Sequence, residues 1–163
     1  MSATVNLIDV VDALDNAMEE QAYYLDKRTG EIILLTSEDL EAAEEDEPLS
    51  DYPDWQRESI QKAREVLNES NAESFAQFPD KFDVDHYRMM EEFSLSLENR
   101  QVGEELLRLI KGKGAFGRFK NGIYSMGVEK AWYEFKRSEL EKIGIHWLES
   151  QGISYKPDDV VDV

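Results

Sequence analysis

The sequence predicts a mainly helical α+β fold, with five or six helices around one core and a small antiparallel β-hairpin. Apolar residues recur at helical spacing along much of the chain, and two aromatic and aliphatic runs near the start flank a turn. The chain has 163 residues with three Trp, seven Tyr and seven Phe, which is ample for a core. We therefore predict a single domain over residues 1–157 and a frayed tail at 158–163.

The hairpin is the clearest local pattern. Residues 22–25 and 31–35 are rich in aromatic and branched side chains, which favour strands. Between them, Asp26 can open a type I turn and Gly30 tolerates the left-handed conformation that follows. A helix is predicted before the hairpin at residues 7–18, and a short capped helix begins after it near Thr36, Ser37 and Glu38.

The next stretch is acidic and irregular. Residues 41–54 hold few apolar side chains and two prolines, which indicates a mobile linker or loop. A helix is predicted from about 54 to 69. Residues 68–80 are polar apart from Phe75 and Phe78, so we expect a loop pinned by these two rings.

The second half is better organised. We predict a helix over residues 84–97 with Asp83 as its N-cap, and a second helix over 102–110. A long helix should run over 128–150 and end before Gly152, because glycine is favoured just past a helix C-terminus.

A short strand is predicted at residues 153–156, where it can join the hairpin as a third strand. Glu139 interrupts the apolar stripe of the long helix and needs a partner if it is buried. The residues of this half that we expect in the core are Phe93, Leu106, Trp132, Ile143 and Trp147.

Charge is distributed unevenly. The net charge is −18, with −19 in residues 1–99 and +3 in residues 100–150. A field of this sign opposes diffuse binding to nucleic acid or anionic membranes and can attract a basic partner.

The composition excludes several classes of protein. The chain has no cysteine, which excludes disulfides and thiol nucleophiles. No apolar run approaches the roughly 20 residues needed to span a bilayer. Residues 1–5 lack the basic start of a signal peptide. We therefore expect cytoplasmic localisation and no membrane partner.

The basic, glycine-rich segment at residues 111–120 is predicted to form a loop or a strained entry into a helix. The segment 108–120 contains no acid, and two phenylalanines alternate with its cations. Backbone N–H groups freed by glycines can bind an anion beside lysines, and rings next to cations can stack on nucleobases. The candidate residues for binding an anion or nucleic acid are Lys111, Lys113, Gly114, Phe116, Arg118 and Lys120.

Two further interpretations of this segment stand beside a site for anions or nucleic acid: a protein interface, and a purely structural role. Lys111 and Lys113 sit where the C-terminus of a helix attracts cations. The rings can belong to the core, and Arg118 can pair with an acid of the N-terminal half. In that case the segment stabilises the fold and binds nothing.

Known cofactor motifs do not fit. Gly112, Gly114 and Gly117 spell G-x-G-x-x-G, but a helical pattern precedes them where a dinucleotide-binding unit needs a strand. A P-loop fails as well, because no Gly-Lys pair is followed by Ser or Thr. We predict no cofactor.

Metal binding and nucleophilic catalysis are also weakly supported. Asp83, Asp85 and His86 could ligate a cation, but acids in the first turn of a helix are ordinary complements of its dipole. His86 and His146 are the only histidines, and neither lies in a nucleophile motif. We predict no metal site and lean against an enzyme.

Several motifs together resemble a known family. They are GKGAFGRFK at 112–120, WYEF at 132–135, WLE at 147–149, GI at 152–153, YYLD at 23–26 and TGE at 29–31. They resemble the bacterial uncharacterised protein family 0158 over about residues 5–36 and 84–155. The resemblance implies a small bacterial cytosolic protein and lends no activity. The family usually reads Gly-Ala-Phe-Arg-Arg-Phe, whereas this chain has Gly117 at the first Arg position.

The sequence does not determine a function. Our leading hypothesis is a non-catalytic interaction or regulatory domain that binds an unknown protein partner, because catalytic motifs are absent and the chain is strongly acidic. The first alternative is an anion- or nucleic-acid-binding module that uses residues 111–120, which the net charge disfavours. The second is an enzyme of unknown class.

Overall fold

The computed structural model describes residues 4–16, 20–46, 48–80 and 83–157. It confirms a mainly helical α+β fold, with seven α-helices in the described part of the chain. The helices are α1 (Leu7–Asp15), α2 (Ser37–Glu45), α3 (Asp54–Leu67), α4 (His86–Ser96), α5 (Arg100–Leu109), α6 (Ala115–Ser125) and α7 (Glu129–Ser150). The strands are β1 (Thr4–Asn6), β2 (Gln21–Asp26), β3 (Ile32–Thr36), β4 (Phe75–Gln77) and β5 (Ser154–Lys156).

The described chain divides into two compact units. The first contains the described residues up to 80 and from 144 onward, and the second contains residues 83–143. Helix α7 contributes residues 129–143 to the second unit and 144–150 to the first. The sequence predicts one domain over residues 1–157, and this stays a prediction.

The first unit contains both sheets. In the antiparallel sheet, β2 lies between β3 and β4, and the register pairs Tyr24 with Ile33. One face of this sheet packs on α2 and α3 through a cluster that includes Ile33, Leu35, Ala63, Val66 and Phe75. The hairpin prediction is therefore confirmed.

The third strand of this sheet is β4, in a segment where the sequence predicts a loop. The loop prediction is wrong for residues 75–77, because Phe75 is buried in the cluster and the backbone pairs with β2. Phe78 is buried as predicted, and its ring lies 4.4 Å from the ring of Trp147 between centroids. A three-residue strand carries too little pattern to be recognised from one sequence.

The C-terminal strand forms, but it does not join the hairpin. Strand β5 pairs in parallel with β1, so Val5 lies opposite Tyr155 in a separate two-stranded sheet. The predicted pairing with the hairpin is therefore wrong. Parallel strands that are distant in the chain have no turn motif between them, so the sequence does not indicate their pairing. Gly152 ends α7 in the left-handed conformation, with φ +68°, as expected.

The acidic middle is more regular than the sequence indicates. Residues 41–45 form the second half of α2, and Leu49–Asp51 form one turn of 3-10 helix. Helix α2 begins after Thr36, which forms a capping box with Asp39. The helix continues into the acidic stretch, where Ala42 is buried. The predicted mobility of 41–54 stays a prediction.

The second unit is a set of helices around aromatic side chains. Rings of Phe93, Phe119 and Trp132 contact one another, with 4.8 Å between the centroids of Phe119 and Trp132. Trp132, Phe93 and Leu106 are buried as predicted. Ile143 is only half-buried, which corrects its assignment to the core.

Two details of the helices in this unit also differ from or extend the predictions. The N-cap of α4 is Asp85, whose carboxylate accepts the Arg88 N–H at 3.0 Å, and not Asp83. Partly buried Glu139 accepts a hydrogen bond from Lys142 Nζ at 3.2 Å, which supplies the partner that we expected it to need.

Helices α4 and α5 approach closely at Gly103. A Cβ atom placed there would lie 2.5 Å from the backbone oxygen of Ser94. Backbone cannot move aside as a flexible side chain can, so Gly103→Ala should destabilise the fold by about 1–3 kcal/mol. Thermal unfolding measures this, with Gly117→Ala on α6 as the matched control.

The control should change stability in the opposite direction. A Cβ atom at Gly117 meets nothing within 4 Å, so alanine there should stabilise by about 0.5–1 kcal/mol through helix propensity. If the two variants shift the melting temperature equally, the close approach at Gly103 is refuted.

The hairpin turn depends on a buried carboxylate. Asp26 Oδ1 accepts the Arg28 backbone N–H at 2.9 Å and Nε at 3.2 Å. Burial raises the pKa of Asp26. The hydrogen bonds from Arg28 and its positive charge together lower that pKa by more, so it lies below the ordinary value. The carboxylate therefore stabilises the fold above the pKa of an unfolded Asp.

Asp26→Asn should lower the free energy of unfolding by about 1 kcal/mol at pH 7. The native pKa of Asp26 is depressed, so the stabilisation is lost as pH falls below about 4, the pKa of an unfolded Asp. Urea unfolding from pH 7 to pH 3 should show the gap between wild type and variant closing. A gap that stays constant with pH contradicts this role.

Candidate functional site

The basic segment at 108–120 bridges the end of α5 and the first half of α6. Only residues 111–114 form a turn, and residues 115–120 are helical. The loop interpretation of 111–120 is therefore wrong for its second half, whereas the alternative, a strained helix entry, agrees with the left-handed N-cap at Gly114. Ala115, Phe119 and Ile123 fall at helical spacing and are buried, and this burial outweighs the cost of about 1 kcal/mol for a helical glycine.

The side chain of Arg118 fills the turn between α5 and α6. Its Nε donates to the Leu109 carbonyl at 2.6 Å, and its Nη2 donates to the Lys111 carbonyl at 2.7 Å. Its Nη1 donates to the Lys113 carbonyl, and Nη2 also reaches the Gly112 carbonyl at 3.4 Å. The guanidinium thus binds the Leu109 carbonyl at the C-terminal end of α5, which lacks a partner within the helix and carries partial negative charge. It also binds three carbonyls of the turn that follows the helix.

Two glycines shape the turn around this guanidinium. Gly112 and Gly114 have φ of +80° and +79°, in the left-handed region that other residues rarely adopt. A Cβ atom at Gly114 would lie 2.9 Å from Arg118 Nη1. The turn therefore needs glycine at 114 both for its backbone conformation and for the space that Arg118 occupies.

Arg108 is also paired. Its Nε donates to Glu105 Oε2 at 2.9 Å, and Nη2 contacts Oε1 of the same carboxylate. The hydrogen bonds from Arg108 hold the pKa of Glu105 below its usual value and raise that of Arg108. Two of the five cations in the segment are thus already engaged.

The three lysines differ from the arginines. Lys111, Lys113 and Lys120 are exposed, and none makes an ion pair with a residue in the part of the chain that the structure describes. Of the predicted site residues, Arg118 contacts the backbone of Lys111 and Lys113, while Gly114 begins α6 as its N-cap.

A surface stripe runs along α6. Phe116, Lys120 and Tyr124 are spaced by four residues and therefore share one helix face. The Phe116 side chain is 59% exposed and that of Tyr124 is 77% exposed. Helix α6 contains no acidic residue. We call Phe116, Lys120 and Tyr124 the α6 stripe.

Tyr124 was missed by the sequence analysis. Its spacing of eight residues from Phe116 indicates a shared face only once 115–125 is known to be helical. The predicted site therefore contains two parts: a structural clamp built by Arg118 and Gly114, and an exposed basic and aromatic surface built by the lysines and the α6 stripe.

Other candidate clusters are explained locally. Asp85 caps α4, and His146 is exposed on α7. Among the described residues, no group of three or more His, Asp or Glu side chains is placed to hold a metal ion. No helix within the described ranges is long and apolar enough to cross a membrane.

A comparison with protein families assigns the chain to a family. The model of Uncharacterised protein family (UPF0158) matches residues 2–163. This chain belongs to that family. The match extends through the acidic middle, which the resemblance over residues 5–36 and 84–155 left unmatched. Searches of curated proteins and of solved structures gave no significant match.

Replacing Arg118 tests the clamp. Arg118→Lys keeps the positive charge but cannot reach several carbonyls at once, so it should destabilise by about 1–3 kcal/mol. Lys120→Ala, on the same helix, should stay within about 0.5 kcal/mol of wild type. Equal urea midpoints for Arg118→Lys and wild type would show that the clamp contributes nothing to stability.

Proposed function

We propose that this chain is a non-catalytic interaction protein whose α6 stripe binds an acidic surface on a partner protein. The observation that carries the proposal is the exposure of two aromatic rings on a helix that is basic and free of acids. The opposite face of the same helix is buried, so the stripe is not needed for the core of the second unit.

The rings supply the binding energy. Aromatic side chains are enriched at the energetic centres of protein interfaces. Phe116 and Tyr124 are far more exposed than Phe119 on the same helix, which is buried. If each exposed ring loses about 100 Å² of apolar surface on binding, it contributes roughly 2.5 kcal/mol at 25 cal/mol per Å².

The lysines supply the preference for an acidic partner. Lys120 lies between the two rings, and Lys113 lies just before the helix that carries them. Arg118 is not part of the proposed contact, because its guanidinium already binds carbonyls. Complementary charges guide association and orientation more than they add affinity.

Single-stranded nucleic acid is a second candidate for the same stripe, because rings between cations can stack on bases. Three exposed lysines in the segment limit the phosphate contacts to about three. The slope of log K against log salt would then be about −2 for a single strand. The net charge of −18 makes this candidate weaker than a protein partner.

A photo-reactive amino acid at Asn121 tests the proposal. Asn121 is exposed on α6 and lies outside the stripe, so the contact stays intact. In cells that make the full chain, cross-linking from position 121 should trap a protein with an acidic surface. The same probe at exposed Glu73, in the first unit, is the control.

Variants then define the contact. Phe116→Ser with Tyr124→Ser should abolish the adduct and weaken the purified complex at least tenfold. Gly117→Arg, placed where a Cβ meets nothing within 4 Å, should tighten the complex severalfold by adding a cation. Adducts that match those from position 73, or that survive the double substitution, contradict the proposal. Binding of an oligouridylate with the salt slope above would favour the nucleic-acid alternative.

A further inference from the structure

A second surface, in the first unit, has the opposite chemistry. Strand β3 is at the edge of its sheet, since within the described part of the chain β2 is its one pairing partner. Beside it, in the first turn of helix α3, lies Trp55, which is 77% exposed. A groove lies between them, and its lining includes Leu34, Trp55, Glu20 and Glu38. We call this the β3 groove.

The backbone of β3 presents hydrogen-bonding groups to this side. Ser37 N–H donates to the Glu20 carbonyl at 2.9 Å, and Asp26 N–H donates to the Glu31 carbonyl at 2.9 Å. In an antiparallel ladder, these two bonds direct the backbone groups of Ile33 and Leu35 toward β2 and those of Ile32 and Leu34 outward. Leu34 has no backbone partner on its outward side among the described residues.

The outward row ends at a defined point. The Thr36 N–H is satisfied by the Asp39 carboxylate at 3.2 Å, within the capping box of α2. An added strand would therefore pair with Ile32 and Leu34 and stop at the start of α2. This leaves room for a short extended segment, and not for a long new strand.

The side chains indicate what that segment carries. Glu20 and Glu38 are exposed on the groove, and its lining contains no Lys or Arg among the residues that the structure describes. Residues 1–99 carry a net charge of −19, so the surrounding field has the same sign. An exposed Trp ring attracts a Lys or Arg cation through its electron-rich face. Leu34, which is 43% exposed, offers an apolar contact beside it.

We infer that the β3 groove binds a basic peptide in extended conformation, which adds a strand to β3 and places a Lys or Arg on Trp55. Strand addition draws affinity from main-chain hydrogen bonds and specificity from alternate side chains. A second copy of this chain is a poorer occupant, because each copy carries −18 and the two acidic edges repel. This surface is independent of the α6 stripe.

Selection from a random nonapeptide library against the full chain tests the inference. Selected peptides should alternate Lys or Arg with aliphatic residues. Binding of the best peptide should fall at least tenfold in Trp55→Ala and in Glu38→Lys, while Glu73→Lys, an exposed acid outside the groove lining, should change it less than threefold. Circular dichroism confirms that each variant is folded.

Chemical changes to the peptide test the strand geometry without altering the protein. N-methylation at alternate residues removes one row of donors, so methylation in one register should abolish binding and in the other should leave it intact. Equal effects in both registers, acidic or helical selected peptides, or binding unchanged by Trp55→Ala would each overturn the inference. The inference would also be overturned if the selection enriched no peptide over a parallel selection on Trp55→Ala. Self-association of the chain that Trp55→Ala abolishes would overturn it too.

Discussion

The second unit depends on the contact between one guanidinium and the end of one helix. The Leu109 carbonyl at the end of α5 has no partner within the helix, and Arg118 of α6 binds it together with the carbonyls of Lys111 and Lys113 in the following turn. A side chain reaching back from the next helix closes the turn and fixes where α6 begins. Only arginine combines permanent charge with a planar set of donors that can serve several carbonyls together.

This contact separates the two roles that the basic segment could have. Because the Arg118 guanidinium binds backbone carbonyls of the protein, it does not serve as a group for external ligands. The exposed lysines of the segment still can. Because α6 is a helix, its residues divide between a buried face with Phe119 and an exposed face with Phe116 and Tyr124. The same sequence thus builds a structural clamp and a surface suited to binding.

Much of the fold could be predicted from the sequence. The hairpin, the long C-terminal helix and the burial of both Trp132 and Trp147 follow from alternation, helical spacing and aromatic size. For residues 111–120 the sequence does not decide between a loop and a helix entry, because three glycines within six residues favour a loop while only the tertiary burial of Phe119 and Ile123 reveals helix α6. Short strands failed for the related reason that their pairing is set by distant partners.

The site shows the same division. The cluster of cations and its exposed lysines could be recognised from composition, but the engagement of Arg118 depends on where the carbonyls of Leu109 and of the following turn lie. Trp55 was overlooked because it is simply a tryptophan in an acidic stretch. It lies five residues before buried Ile60, which places it outside the buried face of α3. This spacing is the one feature of the sequence that indicates its exposure.

Amide hydrogen exchange on α6 tests the central claim most directly. If Arg118 anchors this helix, the amides of Phe119 and Ile123 should be strongly protected in the native chain. In Arg118→Lys, protection should fall across α6 while the amides of α4 keep theirs. Unprotected α6 amides in the native chain, or protection that the substitution leaves unchanged, would contradict the account.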